Sequence, residues 1–360
     1  MRRPAGRTYL KVLAGVVGVV LSVVLISSVF FRLNPGGDGP LLVPRFPLEK
    51  LLHDLPGHLR WLIPFMLLSA AIIPLRAVQW QRTLSKPVPL LERYHLVAIG
   101  AFTHNAVPGK LGDVMRSFLM SRTQRIPFLQ SLGSVLVCKL LEFAALMGLL
   151  AVSFLGPFGE TMAGFAGPLR FAVGVCVGLV VLVVVLAHYA LPLARMLERK
   201  HKLPRARHLL GHVSEGLGTA RSFRGMAKAL LFSVGPVLAP ALGYGLALRG
   251  IGVHGGLFAG AVVLGALAVG QAPGVPAGTG IYFGVTSGVA RGLLGAAPED
   301  AAAFSILTWL GTVLTQVAVG AISVRFRGIR LKDLRKGGSL AREATSHVAH
   351  EAVQPVHTPG

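Results

Sequence analysis

The segment 104–116, which we call the first elbow, sets charged residues beside helix breakers in an apolar run, and it holds Pro108, Gly109, Lys110, Asp113 and Arg116. A proline lacks a backbone donor and clashes with the preceding turn, so we expect a helix to end near Pro108. A second helix that begins near Gly112 points unpaired backbone N–H groups toward Lys110 and Arg116. A helix N-terminus beside cations suits a phosphate or another anionic headgroup.

A further charged pair, Lys139 and Glu142, lies in the next apolar stretch. An uncompensated charge in hydrocarbon costs about 2.5–3.5 kcal/mol, so these side chains need partners. Asp113 and Arg116 are three residues apart, as are the members of the second pair, so each pair shares a helix face. Two interpretations stay open. The cluster binds a headgroup, with a net charge of +1 once Lys110 is counted, or it is a salt-bridge network that clamps a broken helix.

A second elbow, 271–280, breaks another apolar run without any charge, and its breakers are Pro273, Gly274, Pro276, Gly278 and Gly280. Close glycine packing and a flexible gate facing the charged elbow are its two interpretations. Arg76 and Trp80 stand four residues apart in a different apolar stretch. We favour interfacial anchoring for this pair over membership of a site.

Composition places both elbows in a membrane. The chain is 53% hydrophobic and only 14% charged, with 45 glycines and a mean hydropathy of +0.65. Its net charge of +22 comes from short basic clusters beside apolar runs, which report orientation and contact with anionic lipids and not nucleic acid. Cys138 and Cys176 lie in apolar segments without ligand spacing, so neither a disulfide nor a zinc site is predicted.

Six apolar stretches are long enough to cross a hydrocarbon core of ~30 Å, and they are 12–31, 61–81, 128–154, 171–194, 229–248 and 301–324. Segments 94–121 and 257–294 are interrupted at the elbows, and each piece is too short to cross alone. We therefore predict two broken re-entrant helical hairpins. Basic clusters beside the spans place both termini in the cytoplasm of a multi-pass protein of the cytoplasmic (inner) membrane.

The predicted fold is an all-α polytopic membrane protein with about six full transmembrane helices plus these two hairpins. Its parts are an N-terminal transmembrane helix (1–34), an outer amphipathic loop (35–60), a first membrane repeat (61–155), a transmembrane helix with a basic cytoplasmic amphipathic stretch (156–228), a second membrane repeat (229–324) and a basic, disordered cytoplasmic tail (325–360). His208 and His212 have a metal-compatible spacing, but two histidines on a solvated basic helix rarely bind one, so no metal is predicted.

The two membrane repeats match in the order of their elements. Laying 94–121 on 262–289 brings Val107-Pro108 onto Val275-Pro276 and Gly112 onto Gly280. The first repeat runs from outside to inside before its hairpin, and the second runs from inside to outside. An inverted repeat with paired broken helices is a recurring arrangement in transporters, with the binding site near the midplane.

These motifs carry a family resemblance. The run Asn105-x-x-Pro108-x-x-x-Gly112-Asp113-x-x-Arg116, followed by Lys139-x-x-Glu142, resembles signatures of the lysylphosphatidylglycerol synthase transmembrane-domain, or flippase-like, family. The motif Pro273-Gly274-x-Pro276-x-Gly278-x-Gly280 resembles the second Pro-Gly motif of that family. The resemblance runs from about Trp61 to Val324. It implies a polytopic protein of the cytoplasmic membrane that is associated with lipid modification and lipid translocation.

The sequence departs from the family pattern at two places. The second motif commonly carries an acidic residue three positions after its last glycine, where this chain has Phe283. The synthases also carry a large soluble aminoacyltransferase domain after the membrane part, whereas about 36 residues follow Val324 here. We therefore expect that this chain does not aminoacylate lipids by itself.

The sequence favours lipid translocation, with the two elbows meeting at the midplane around a headgroup while the acyl tails stay in lipid. The predicted substrate-binding residues are those of the motifs, namely Asn105, Pro108, Gly109, Lys110, Gly112, Asp113, Arg116, Lys139, Glu142, Pro273, Gly274, Pro276, Gly278 and Gly280. One alternative is a membrane-embedded lipid-modifying transferase, or a membrane subunit of one, with Asp113 and Glu142 as acid and base. Another is a structural membrane subunit.

The expected partners of the protein are membrane lipids with anionic headgroups, and nucleic acid is not expected. A partner enzyme and a homo-oligomer stay open. The sequence has no oriented catalytic triad and no phosphate-binding loop of an ATP-driven pump, and it predicts no cofactor.

Overall fold

A computed structural model of the protein describes residue 27 and residues 31–33, 42–44, 48–106, 111–155, 166–199, 215–270 and 278–329. Within these ranges the chain forms nine α-helices, which are α1 Leu48–Gln81, α2 Leu90–Ala106, α3 Gly112–Gln124, α4 Phe128–Leu155, α5 Ala166–Arg199, α6 Phe223–Gly250, α7 Gly256–Gly270, α8 Gly278–Gly288 and α9 Pro298–Phe326. A 3-10 turn, Gly218–Arg221, precedes α6, and a π-helical turn, Val289–Leu293, follows α8.

The small exception to the helical fold is a ladder of two strands. Strand β1 (Phe31–Leu33) pairs antiparallel with β2 (Leu42–Pro44), with Arg32 opposite Val43. Three-residue strands contribute little on their own, so the architecture of the described chain is set by its helices.

Four helices among the described residues are long and apolar enough to cross a membrane, and they are His53–Gln81, Phe128–Ser153, Phe223–Gly250 and Pro298–Phe326. They contain the predicted spans 61–81, 229–248 and 301–324, and all but the last residue of 128–154. The protein is therefore a multi-pass integral membrane protein. The predicted span 171–194 lies in α5, where the apolar helix among the residues searched is Val173–Val185. The predicted first span, 12–31, falls almost entirely outside the described residues.

Helix α1 differs from the predicted boundary between an outer loop and a span. We predict an outer amphipathic loop (35–60) followed by the span 61–81, but α1 runs without a break from Leu48 to Gln81. It continues through Pro56, Pro64 and Pro74. A proline removes one donor from a helix, and in membrane helices neighbouring groups often compensate for that loss, so proline alone does not fix a helix end there.

Both predicted interruptions coincide with helix ends. Helix α2 ends at Ala106 and α3 begins at Gly112, while α7 ends at Gly270 and α8 begins at Gly278. The elbow residues 107–110 and 271–277 lie outside the described chain, as do 156–165, 200–214 with the predicted basic amphipathic stretch, and the tail from 330. Re-entrant geometry and the inverted repeat therefore stay predictions.

The chain divides into two compact units. The first unit comprises Met1–Ser69, Gly148–Phe165 and Leu238–Val313, and the second comprises Ala70–Met147, Ala166–Val237 and Leu314–Gly360. Helices α7 and α8 belong to the first unit, and α2 and α3 belong to the second. The two interrupted helix pairs thus fall in different units.

The first unit has an aromatic core and one very close helix approach. Phe65 and Phe304 pack against Tyr244, with ring centroids 5.5 and 6.2 Å away. A Cβ atom on Gly260 of α7 would overlap the carbonyl oxygen of Ala241 in α6. Small residues let membrane helices approach until their backbones touch, which increases the dispersion contacts that hold them together.

The second unit is built around the fully buried Trp80 of α1, and its core also contains Ile73, Leu96, Met120, Ile126 and Val135. Here α2 and α3 approach through glycine, since a Cβ atom on Gly112 would overlap the carbonyl oxygen of Gly100 and lie 2.9 Å from the Cβ atom of His104. This approach holds the start of α3 against α2.

Polar contacts fix α2 along the last part of α9, still within the second unit. Glu92 forms an ion pair with Arg327, and the His95 ring lies 3.1 Å from the Ser323 hydroxyl. Asn105, the penultimate residue of α2, donates a 2.8 Å hydrogen bond to the Gln316 side chain. These contacts fix the position of α2, as far as Asn105, along the last part of α9.

Candidate functional site

Three helices of the second unit bring five charged side chains together, and we call this group the charged cluster: Arg76 of α1, Asp113 and Arg116 of α3, and Lys139 and Glu142 of α4. Each helix presents its members through helical spacing, three residues apart on α3 and on α4. The predicted association of Asp113, Arg116, Lys139 and Glu142 is thus present, with Arg76 added.

Arg76 and Glu142 form the firmest ion pair of the cluster. Arg76 Nη2 lies 2.9 Å from Glu142 Oε2, and Nε donates to Oε1 at 3.2 Å. The Glu142 side chain is 11% exposed. Two parallel hydrogen bonds between a guanidinium and a carboxylate fix both groups geometrically as well as electrostatically.

Asp113 bridges two cations. Its Oδ1 atom lies 2.8 Å from Arg116 Nη2, and its Oδ2 atom lies 3.8 Å from Lys139 Nζ. Helical spacing predicts a pair between Lys139 and Glu142 on α4, but Glu142 takes Arg76 of α1, and Lys139 pairs with Asp113. The distance of 3.8 Å is that of an ion pair without a good hydrogen bond, so the contact of Lys139 is the loosest of the three.

Arg116 lies at the buried end of the cluster and is 4% exposed. Its guanidinium carbon lies 5.2 Å from the centroid of the Trp80 ring, within the range of a cation–π contact. Trp80 is itself fixed by a 2.9 Å hydrogen bond from Nε1 to Ser134. Arg116 Nε is buried and has no hydrogen-bond partner. A buried unsatisfied donor is costly and uncommon, which makes this atom a candidate ligand-binding group.

One edge of the cluster is accessible. The side chains of Asp113 and Lys139 are 43% and 40% exposed, whereas that of Arg116 is 5% exposed. With Arg76, Arg116 and Lys139 against Asp113 and Glu142, the net charge is +1. The cluster therefore combines a buried cation, Arg116, with an accessible edge where Lys139 and Asp113 face each other.

The remaining predicted residues of the first elbow are only partly described. Pro108, Gly109 and Lys110 lie outside the described residues. Asn105 is exposed and donates to Ala101 and Gln316, so the structure ties it to α9. Helix α3 begins after Leu111, whose side chain does not cap the first backbone N–H groups of that helix.

The described residues of α8, which follow the second elbow, form neutral polar contacts. Pro273, Gly274 and Pro276 lie outside the described residues, Gly278 begins α8, and Gly280 is buried. In α8 Tyr282 donates a 3.1 Å hydrogen bond to Thr308, and Thr286 donates a 2.9 Å bond to Ser305. None of these groups carries a charge that would attract an anion.

Phe283 occupies the position where the resemblance leads one to expect an acid. Its ring packs against Trp309, with centroids 5.5 Å apart. A carboxylate at this place would lie beside the aromatic rings of Tyr282 and Trp309, so the phenylalanine in this chain fits these neighbours.

The prediction that Arg76 and Trp80 serve as interfacial anchors differs from their contacts in the structure. We favour interfacial anchoring for them, yet Trp80 is 0% exposed and Arg76 binds Glu142. A signal was available, because Arg76 is the single charge in the apolar span 61–81. A charge at that depth usually has a partner inside the protein.

Metal chemistry gets no support from the described chain. Among the residues searched, no group of three or more His, Cys, Asp or Glu side chains is placed to hold an ion. Cys138 and Cys176 are both buried, free thiols.

The helices and the embedded charged cluster define an integral multi-pass membrane protein with two interrupted helix pairs. The chain belongs to the family described as the lysylphosphatidylglycerol synthase TM region, which it matches over residues 15–320. No curated protein and no solved structure matches the chain. Family membership relates the protein to lipid modification.

Proposed function

We propose that this protein translocates lipids with an anionic or lipid-linked headgroup across the membrane, and that the charged cluster holds the headgroup. The observation that carries the proposal is the accessible edge formed by Asp113 and Lys139 above the buried Arg116. Ionisable side chains in membrane segments are expensive, and where they occur they usually mark a substrate or ion path.

The charges favour an anion. The cluster has one positive charge in excess, and its buried cation has an unpaired donor, Arg116 Nε. A phosphate offers several acceptor oxygens, so it can bind a guanidinium and an ammonium at once. The uncapped start of α3 adds a partial positive charge at the same place.

The contacts speak against a transferase that uses these carboxylates as acid and base. Glu142 is held by two hydrogen bonds from Arg76, and Asp113 is held between Arg116 and Lys139. A general base must be able to reach a substrate proton and accept it. Carboxylates engaged by cations in this way serve better as counter-ions that position the binding groups.

A liposome flip assay tests the proposal. Purified protein is reconstituted into vesicles that contain fluorescent phosphatidylglycerol, and the fraction reduced by external dithionite reports transfer between leaflets. We expect wild type to flip the lipid, and we expect Arg116→Ala and Lys139→Ala to reduce the rate by about tenfold or more, since each removes one cation contact worth about 1.5–3 kcal/mol.

Arg291→Ala is the matched control, because Arg291 is an exposed cation in the first unit. Its flip rate should equal that of wild type. If the cluster variants flip as fast as wild type, the headgroup does not bind there. If wild type flips none of a panel of anionic, zwitterionic and lipid-linked sugar substrates, translocation itself is refuted.

We further propose that α2–α3 and α7–α8 are re-entrant hairpins in an inverted repeat, with both termini cytoplasmic. The proposal is supported by the lengths of these helices, which are 17, 13, 15 and 11 residues, too few for about 30 Å of hydrocarbon. Labelling of single cysteines by a membrane-impermeant reagent tests it. Residues 86 and 125 should react from the cytoplasmic side alone, and reaction from opposite sides would rule out a re-entrant α2–α3.

A further inference from the structure

We propose that Asp113 occupies the anion position of the charged cluster in the resting protein and that a lipid phosphate must displace it in order to bind. The inference rests on the proposed headgroup site and adds an internal competitor to it. Asp113 would then set selectivity, because it lowers the apparent affinity of every anion that competes poorly with a tethered carboxylate.

The first argument is geometric. The Asp113 carboxylate uses one oxygen for Arg116 and the other for Lys139, at 2.8 and 3.8 Å. A phosphate bound to both cations would need the space that these two oxygens fill. The position of the Asp113 carboxylate therefore marks where an anion sits between Arg116 and Lys139.

The second argument is that Asp113 does not satisfy all the hydrogen-bond donors of Arg116 and Lys139. The two oxygens of Asp113 leave Arg116 Nε without a partner, although this atom is buried. Lys139 is held at a distance too long for a good hydrogen bond. A ligand with more acceptor oxygens than a carboxylate could satisfy Arg116 Nε and Nη2 together and also approach Lys139.

The third argument concerns the cost of release. The side chain of Asp113 is 43% exposed in the resting arrangement, so a displaced carboxylate does not have to enter the core. Arg116, by contrast, is 5% exposed and lies over Trp80, so it stays in place. The exchange therefore moves the accessible anion and keeps the buried cation fixed.

The other carboxylate of the cluster does not share this role. Glu142 is 11% exposed and is bound by Arg76 through two hydrogen bonds. Its release would leave Arg76 without its carboxylate partner, and separating a largely buried pair is expensive. Displacement is accordingly expected at Asp113 and not at Glu142.

Binding of dihexanoyl-phosphatidylglycerol to the full chain in detergent micelles tests the displacement. The chain has three tryptophans, so Trp61→Phe and Trp309→Phe leave Trp80, which lies under Arg116, as the fluorescent reporter. If the Asp113 carboxylate occupies the anion position about nine-tenths of the time, its removal raises the apparent affinity for phosphatidylglycerol about tenfold. Asp113→Asn should thus bind phosphatidylglycerol about tenfold more tightly than the reporter background, while Asp113→Glu, which keeps the anion, should stay close to that background.

Asp300→Asn, which removes an equal charge from the start of α9 in the first unit, should leave the affinity unchanged. Equal or weaker binding by Asp113→Asn overturns the displacement, provided that Arg116→Ala and Lys139→Ala lose binding. If Arg116→Ala and Lys139→Ala bind as well as the background, the proposed headgroup site itself is wrong. Titration with inorganic phosphate separates the sources of the anion, because a gain seen with inorganic phosphate alone would contradict a lipid ligand.

Discussion

The two units each hold a short helix, α3 or α8, against its neighbours, but one uses charged side chains and the other uses neutral ones. In the second unit ion pairs join α3 to α4 and α4 to α1, and Arg116 of α3 lies over Trp80 of α1. In the first unit α8 is held to α6 and α9 by hydroxyl groups and aromatic rings. The described contacts of the neutral network offer no charge that would attract an anion. The charged network has a surplus cation and an unpaired Arg116 Nε, and this difference is why we propose the headgroup site in the second unit.

The largest effect should come from breaking the firmest ion pair. Arg76→Ala leaves Glu142 without its bidentate partner, and we expect a loss of about 3 kcal/mol in the free energy of unfolding, near the lower end for broken buried pairs. The double variant Arg76→Leu with Glu142→Leu should recover most of that loss, because no uncompensated charge remains. Unfolding in mixed micelles, followed by circular dichroism, measures both. Equal stability of the single and double variants would mean that the pair acts independently of its charge.

The close glycine approaches allow a direct comparison between the units. Gly112→Ala drives a methyl group into the carbonyl oxygen of Gly100, and Gly260→Ala does the same at Ala241. Overpacking of this kind costs about 1–3 kcal/mol in either unit. Gly178→Ala on α5 is the control, since a Cβ atom there meets nothing within 4 Å. We expect only Gly112→Ala to impair phosphatidylglycerol binding as well, because Gly112 begins the helix that carries Asp113 and Arg116.

Tyr282→Phe probes the neutral network of the first unit. The hydroxyl of Tyr282 lies 3.1 Å from Tyr244 and donates to Thr308, and its removal should cost about 1 kcal/mol of stability. Phosphatidylglycerol binding should be unchanged. A variant of normal stability with weakened binding would contradict the assignment of the headgroup to the second unit. Phe283→Leu, which keeps an apolar side chain beside Trp309, serves as the matched control.

The parts of the fold that depend on local sequence could be predicted, and those that depend on tertiary contacts could not. Apolar length gave the spans 61–81, 128–154, 229–248 and 301–324, and helix breakers gave the ends at Ala106 and Gly270. Helical spacing brought Asp113 and Arg116 onto one face. It could not reveal that Glu142 pairs with Arg76, because 66 residues separate them and no local rule relates their helices. Apolar length also set the start of the second span at Trp61, whereas the helix that contains it already begins at Leu48.

The smallest expected effect concerns the bond between the first elbow and α9. Asn105 donates to Gln316 at 2.8 Å, and side-chain hydrogen bonds between membrane helices contribute about 0.6 kcal/mol on average. Asn105→Ala should therefore lower the free energy of unfolding by about that amount, and Gln316→Ala should add nothing further in the double variant. Because the bond holds the end of α2 in a fixed position beside the elbow, its loss should change the rate of lipid flipping more than the affinity for phosphatidylglycerol. An affinity that falls in step with the rate would instead make Asn105 a direct ligand of the headgroup, and would extend the site from the charged cluster to the end of α2.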